Sequence, residues 1–231
     1  MASGSRVVLA GVMIISMGHP PRSASAGQDA SVYVDVLSSW RKATPVGLSE
    51  CALKLEREVL DALAKRHVAV IGRGRREVGV SLEARVADVW MVQKSSTTPY
   101  VGVVVEHSKG RSHIYYPALA EPLAKSARAS SPDEMRHASQ VLTAAAKAEG
   151  SKRLARLMAE RLGRSTESAP LDMTAIEGDF LLDKTPGPTV VVTIVLGESE
   201  KTCAALTEGP ASRIADGIGE FVEKPGPGRS E

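Results

Sequence analysis

The sequence predicts an α+β fold: a mixed, largely antiparallel sheet of about six strands, an opening βαβ unit, and helices packed on one face. Three observations carry this. A strand pattern, an amphipathic helix pattern and a second strand pattern follow one another within residues 32–71. Residues 77–86 alternate apolar and polar with period two, the mark of a strand wet on one side, and two further strand patterns follow at 100–107 and 112–116. From Pro117 the pattern turns mainly helical, and two more apolar runs lie near 173–196.

In order, Val32, Val34 and Val36 alternate along a short strand, and Thr44-Pro45 with Gly47 ends it. Ser49 is suited to cap a helix reaching Arg66, with Cys51, Leu55, Val59, Ala62 and Leu63 on one face. His67–Ile71 is a strand parallel to the first, since a strand–helix–strand unit of this length crosses over right-handed. Glu77–Val86 places an apolar residue at every even position, and Val89 and Met91 invert the phase, which predicts a strand with a bulge near Ala87-Asp88. Tyr100–His107 and Ser112–Tyr116 form a hairpin about Lys109-Gly110. Ser131-Pro132-Asp133-Glu134 starts a helix that stops at Gly150, and Ser151 caps another to Leu162. Met173–Leu182 and Thr189–Leu196 are strands joined by Thr185–Pro188, and helices over 200–206 and 212–223 precede a tail at 225–231. Residues 27–224 read as one domain, with a possible sub-boundary at 165–172. A strand–helix–strand unit after an export signal, followed by long antiparallel strands, resembles the N-terminal domain of TolB-like envelope proteins in element order.

The export signal is residues 1–26. Arg6 precedes the apolar run Val7–Met17, and Ala24-Ser25-Ala26 fits a cleavage site after Ala26. The run has eleven residues, short of the roughly 20 a spanning helix needs, and His19-Pro20-Pro21-Arg22 ends it. No cysteine follows the cleavage site, so a periplasmic or secreted product without a transmembrane segment is expected. The chain carries 29 basic and 27 acidic residues; Arg6 and Arg22 lie in the signal, which leaves 27 against 27. A balanced chain gives no bulk attraction to nucleic acid. The absence of asparagine excludes N-glycosylation.

Cys51 and Cys203 are the two cysteines, and outside the reducing cytosol an even pair predicts one disulfide. It closes a loop of about 150 residues, worth on the order of 5 kcal/mol in the chain-entropy model. The residues closest to a catalytic set are Glu106, His107 and His113, whose types suit acid–base work or a divalent metal. A two-residue turn at Lys109-Gly110 opposes Glu106 to His113 and His107 to Ser112. This makes Glu106 and His113 an outward cross-strand pair, worth up to about 1 kcal/mol, and sends the two histidines to opposite faces.

Gly72-Arg73-Gly74-Arg75-Arg76 sets three guanidinium groups among glycines, so Arg73, Arg75 and Arg76 are candidate anion-binding residues; the run lacks the lysine and Ser/Thr of a phosphate loop. Ser39-Trp40-Arg41-Lys42 matches the S-x-x-K of penicillin-binding proteins and serine β-lactamases without its companion motifs. Lys152–Arg164 sets Leu154, Leu157, Met158 and Leu162 on one face, the pattern of an ordinary core-facing helix. Trp40 and Trp90 read as packing anchors. No catalytic motif rises above its chance rate, and no cofactor is called for. The sequence therefore predicts an exported, non-catalytic binding, accessory or assembly component with an envelope protein partner. The alternatives are an exported hydrolase or metal-dependent enzyme using Glu106, His107 and His113, or a purely structural domain.

Overall fold

In the computed structural model, which describes residues 31–37, 50–73, 80–93, 97–107, 111–118, 132–163, 171–196, 203 and 209–224, the strands are β1 (Ser31–Leu37), β2 (Ala69–Arg73), β3 (Tyr100–His107), β4 (His113–Pro117), β5 (Asp172–Ile176) and β6 (Thr189–Leu196). The helices are α1 (Glu50–Lys65), α2 (Leu82–Val92), α3 (Pro132–Leu162), α4 (Phe180–Lys184) and α5 (Pro210–Glu223). The strands form one sheet in the order β2-β1-β3-β6-β4-β5. Every neighbouring pair is parallel except β4 with β6. The predicted antiparallel majority is thus corrected to a mostly parallel sheet. The opening βαβ unit is present, with Ser31 opposite Ala69.

Helices cover both faces of the sheet, where the sequence predicted one. On the first face, Val32, Val34, Val36, Val101, Val103, Ile114, Val190, Val192 and Ile194 meet α1, α3 and α5. Cys51, Leu55, Val59 and Leu63 recur at every fourth position of α1 and are buried, a stripe that turns the helix onto the sheet. α5 lies between α1 and α3 and touches both. Close approach is possible because Gly217 has no Cβ: one built there would sit 3.1 Å from Met158 Cγ and 3.2 Å from Met158 Cα. On the second face, Tyr33, Leu37, Tyr100, Val104 and Val191 meet Val86 and Val89 of α2 and Leu181 and Leu182 of α4. Central strands covered on both sides need apolar residues at successive positions, which β3 and β6 supply with Val103-Val104-Val105 and Val190-Val191-Val192.

Three further expectations change. The strand predicted over 77–86 gives way to helix α2 from Leu82; residues 74–79 lie outside the described residues. Leu82 and Val86 are four apart, so they satisfy both a two-residue and a 3.6-residue repeat. Val89 decides, being in phase with Val86 on a helix and out of phase on a strand. Ser81 caps this helix, its hydroxyl accepting from the Ala84 N–H at 3.3 Å. The stop predicted at Gly150 is absent, and α3 runs unbroken for 31 residues, about 46 Å. Gly150 serves packing instead: a Cβ there would lie 2.9 Å from Pro188 Cγ. Ser151 does not cap a new helix. Its hydroxyl donates to the Lys147 carbonyl at 2.7 Å and accepts from the Thr189 N–H at 2.8 Å, fixing α3 to the start of β6. Finally, the strand predicted over 173–182 is split into β5 and the one-turn helix α4, capped by Asp179. The cap predicted at Ser49 and the helix over 200–206 lie outside the described residues, Cys203 excepted.

Candidate functional site

The topology brings Glu106, His107 and His113 to one end of the sheet. β1, β2, β3 and β6 run the same way, and His107 ends opposite Leu196, while β1 stops at Leu37 opposite Val104 and Arg73 of β2 lies opposite Val34. β4 and β5 run oppositely, so their first residues, His113 and Asp172, arrive at that same end. The chain moves outward from β1 to β2, then returns across β1 to β3. The connections leaving β1 and β3 therefore diverge, and in open α/β sheets that point is where a crevice forms for ligands.

Within this end, Glu106 is half-buried and opposite Val195, and His107 closes β3 opposite Leu196. The side chain of His107 is outside the described residues, as are those of Arg73, Arg75 and Arg76; Arg73 is the last residue of β2. Residues 38–49, with the Ser39–Lys42 run and Trp40, are also outside. His113 does not face Glu106 across a hairpin. It pairs with Thr193 of β6 and with Asp172 of β5, so β6 stands between Glu106 and His113. They are two strand spacings apart, about 10 Å. The hairpin expectation failed because β6, much later in the chain, inserts between β3 and β4; sequential strands are neighbours often but not always. Alternation puts Glu106 on the face of Val104, and His113 stacks on Tyr115 of that same face with ring centroids 5.5 Å apart. The His113 Nδ1 has no hydrogen-bond partner. Among the described residues no group of three or more His, Cys, Asp or Glu is placed to hold a metal ion.

The disulfide is formed. Cys51, in the first turn of α1, is bonded to Cys203, with Cα atoms 5.0 Å apart and a sequence separation of 152. At the start of β4, Ser112 Oγ accepts from the Val195 N–H at 3.1 Å, which ties it to the end of β6, and Arg111 stands 3.9 Å from Asp172 of β5.

A buried polar group escaped the sequence reading. Asp35, fully buried two residues from the end of β1, accepts from Arg85 of α2 at 2.6 Å and from the Tyr100 hydroxyl at 2.9 Å. Burial pushes the Asp35 carboxyl above the usual carboxylate range, opposed by Arg85 and the Tyr100 hydrogen bond. Burial and then the Asp35 charge raise Tyr100 well above an ordinary tyrosine. The group is a pin holding α2 on the sheet, both carboxylate oxygens of Asp35 accepting a hydrogen bond. Its signal was an aspartate inside Val34-Asp35-Val36, where alternation alone would accept any polar residue. Trp90, expected to anchor packing, is mostly exposed, and its indole N–H donates to the Lys184 carbonyl at 2.8 Å. Leu154, Met158 and Leu162 are buried, as the core-facing reading of 152–164 requires.

No family model and no curated protein matches the chain. Solved structures do. The catalytic domain of CwlV, an N-acetylmuramoyl-L-alanine amidase from Bacillus (Paenibacillus) polymyxa var. colistinus, is 17% identical with TM-score 0.53, covering 83% of this chain and 98% of that one. The N-acetylmuramyl-L-alanine amidase Ami1 from Mycobacterium smegmatis is 15% identical with TM-score 0.55, covering 84% and 96%. The likeness is one of fold, and it overturns the expectation of a non-catalytic binding, accessory or assembly component: this architecture, nearly end to end, is one that enzymes use. The fold and the disulfide are consistent with a location outside the cytosol. Among the described residues no helix is long and apolar enough to cross a membrane.

Proposed function

We propose that the chain is an exported hydrolase that cuts an amide bond of the bacterial cell wall, of the N-acetylmuramoyl-L-alanine type, at the carboxyl end of the sheet. The observation that carries this reading is the position of Glu106 and His107. They close the central strand β3 at the topological switch point, in a fold like that of two amidases with this chemistry in their names. Amide hydrolysis needs a group to take a proton from water and to return one to the leaving nitrogen. An imidazole does both near neutral pH, and a carboxylate beside it orients or assists the water. His107 is assigned the proton transfer and Glu106 the orienting role. His113, across β6, belongs to the wall of the same end. Arg73, Arg75 and Arg76, at the end of β2 and just after it in the sequence, are assigned the carboxylates of the wall peptide, which guanidinium groups bind in a bidentate fork. The export signal with cleavage after Ala26 and a folded unit over 27–224 complete the reading, for a periplasmic or secreted protein.

The test is incubation of the chain lacking residues 1–26 with purified sacculi, following newly exposed L-alanine amines by labelling and mass spectrometry. The wild type releases them; His107→Ala and Glu106→Gln each lose on the order of 10²–10⁴-fold, the usual worth of a general acid–base group. The triple change Arg73→Ala, Arg75→Ala, Arg76→Ala raises KM with kcat little altered. Activity that survives chelation assigns the chemistry to side chains alone, and loss restored by a divalent cation assigns it to a metal held by them. Intact sacculi after prolonged incubation with folded wild type would reject the reading.

A further inference from the structure

The two edges of the sheet are guarded unequally. β2 closes one side. Its register against β1 shifts between Val32 and Tyr33, an irregularity that spoils an edge for further pairing, and it ends on Arg73. β5 closes the other side, and among the described residues no strand pairs with its outer edge. It follows β4 in unbroken register from Asp172 to Ile176. Its middle residues, Met173, Thr174 and Ala175, are exposed and include no charge and no proline. Proteins ordinarily blunt such an edge with lysine, proline or a bulge.

The ladder with β4 determines which groups of β5 stay open. The Asp172 N–H donates to the Ser112 carbonyl at 3.1 Å, and the Ile176 carbonyl accepts from the Ala118 N–H at 2.8 Å. Main-chain groups alternate in direction along a strand, so Asp172, Thr174 and Ile176 turn theirs to β4. Met173 and Ala175 turn both N–H and C=O to the open side. This pattern is self-complementary. With β5 antiparallel to a copy of itself and the two-fold axis at Thr174, Met173 of each copy meets Ala175 of the other in a hydrogen-bonded pair. The charges agree with the same axis. Arg111, exposed, stands 3.9 Å from Asp172 at the start of β5, and Glu177, exposed, follows its last residue. The two-fold sets the Arg111 end of each copy against the Glu177 end of the other.

We propose that β5 is a self-association edge, through which two copies of this chain pair antiparallel about Thr174 and join their sheets into one. The pairing is independent of the hydrolase reading, since the axis sends the two candidate sites to opposite ends of the joined sheet. A five-residue strand gives a contact below the ~800 Å² per partner of a standard interface, so the dimer is reversible and concentration-dependent.

The experiment follows the chain lacking residues 1–26 by sedimentation velocity and by backbone hydrogen exchange, from micromolar to submillimolar concentration. In dilute solution the Met173 and Ala175 amides exchange quickly, while those of Thr174 and Ile176, bonded to β4, exchange slowly. In concentrated solution all four are slow, and the sedimentation coefficient rises to that of a dimer. Ala175→Pro removes an outward N–H and leaves the β4 ladder intact. It deletes one hydrogen bond from each of the two Met173–Ala175 pairs and should raise the dimer Kd about tenfold. Arg111→Glu and Glu177→Arg should each weaken the dimer severalfold, and the two together should restore it. A monomer at every concentration would overturn the proposal, as would a dimer in which the Met173 and Ala175 amides still exchange quickly, or one that folded Ala175→Pro leaves unchanged. Should Ala175→Pro fail to fold, the charge exchange decides: a double reversal that recovers nothing lost by the single ones overturns the pairing.

Discussion

The two faces of the sheet are built by different means. Under α1, α3 and α5 the contacts are mostly apolar, from Val34 and Leu55 to Leu154 and Ile214, with one buried carboxylate, Glu56 of α1, and with other charges at the rim, where Arg161 meets Glu220 at 2.6 Å and Arg153 lies over Phe221. Under α2 and α4 a smaller apolar cluster surrounds the Asp35–Arg85–Tyr100 group, and the helices are held by polar ties to main-chain carbonyls from Trp90 and Lys147. The first face gains from area removed from water, which is non-directional and tolerant. The second depends on pairing, which is directional and fails all at once when a partner is lost. A large face supplies stability; a small one supplies position.

That contrast can be broken most sharply at Asp35. Asp35→Ala strands the Arg85 guanidinium in the interior and should cost about 3–5 kcal/mol, read as a fall in urea midpoint at constant m. The pair Asp35→Leu with Arg85→Met should recover most of the loss, because a buried ion pair replaced by apolar groups is often neutral. Recovery of none would mean that α2 is placed by the charge pair itself. On the apolar face, Leu55→Ala should cost about 2–5 kcal/mol by lost transfer energy and cavity, and no single second-site change should restore it.

The titration behaviour of the two sides also differs in sign. Burial depresses Lys147, on α3 beside α4, to about 8. An unfolded lysine keeps its proton to about 10.5, so between pH 8 and 10.5 the unfolded chain binds more protons and stability should rise with pH. On the rim of the apolar face, Arg161 and Lys224 hold Glu220 down at about 2. Its contribution is complete above pH 4.5 and is lost as pH falls toward 2. Lys147→Met should flatten the alkaline rise and Glu220→Gln the acid loss, each measured as Tm against pH; the Glu220 effect is small because the site is open to solvent. The smallest change is at the end of α1. There His67 adopts φ 57° and its N–H reaches the Ala64 carbonyl at 3.0 Å, a left-handed turn that glycine adopts without strain. His67→Gly should stabilise by about half a kcal/mol, seen as a slight rise in Tm.

The same contrast explains what the sequence disclosed. β1, α1, β2, β3 and α5 were legible, because each carries an apolar period long enough to exclude the alternative and most border the large face. α2 was not, since Leu82 and Val86 fit two periods and only Val89 separates them. Nor was the neighbour of β3, since register arguments between adjacent segments cannot see a strand that arrives eighty residues later. Of the candidate site, Glu106, His107 and His113 were visible as residue types, and their common location was not, being a property of strand order alone. Asp35 was hidden for another reason: its partners lie 50 and 65 residues away, and nothing local marks an aspartate as buried.

Strand order also has a consequence in time. β3 cannot complete its pairing until Thr189–Leu196 is available, and β4 then joins along the far side of that late strand. A chain threading across a membrane from its N-terminus would expose Val101–Val105 without its β6 neighbour while most of the protein is still to emerge. Such a valine-rich edge invites pairing with the wrong partner, and the long-range closure that removes it is slow. The folding hazard of this protein is therefore concentrated in a central strand, and the interval of danger ends only when its last strand docks.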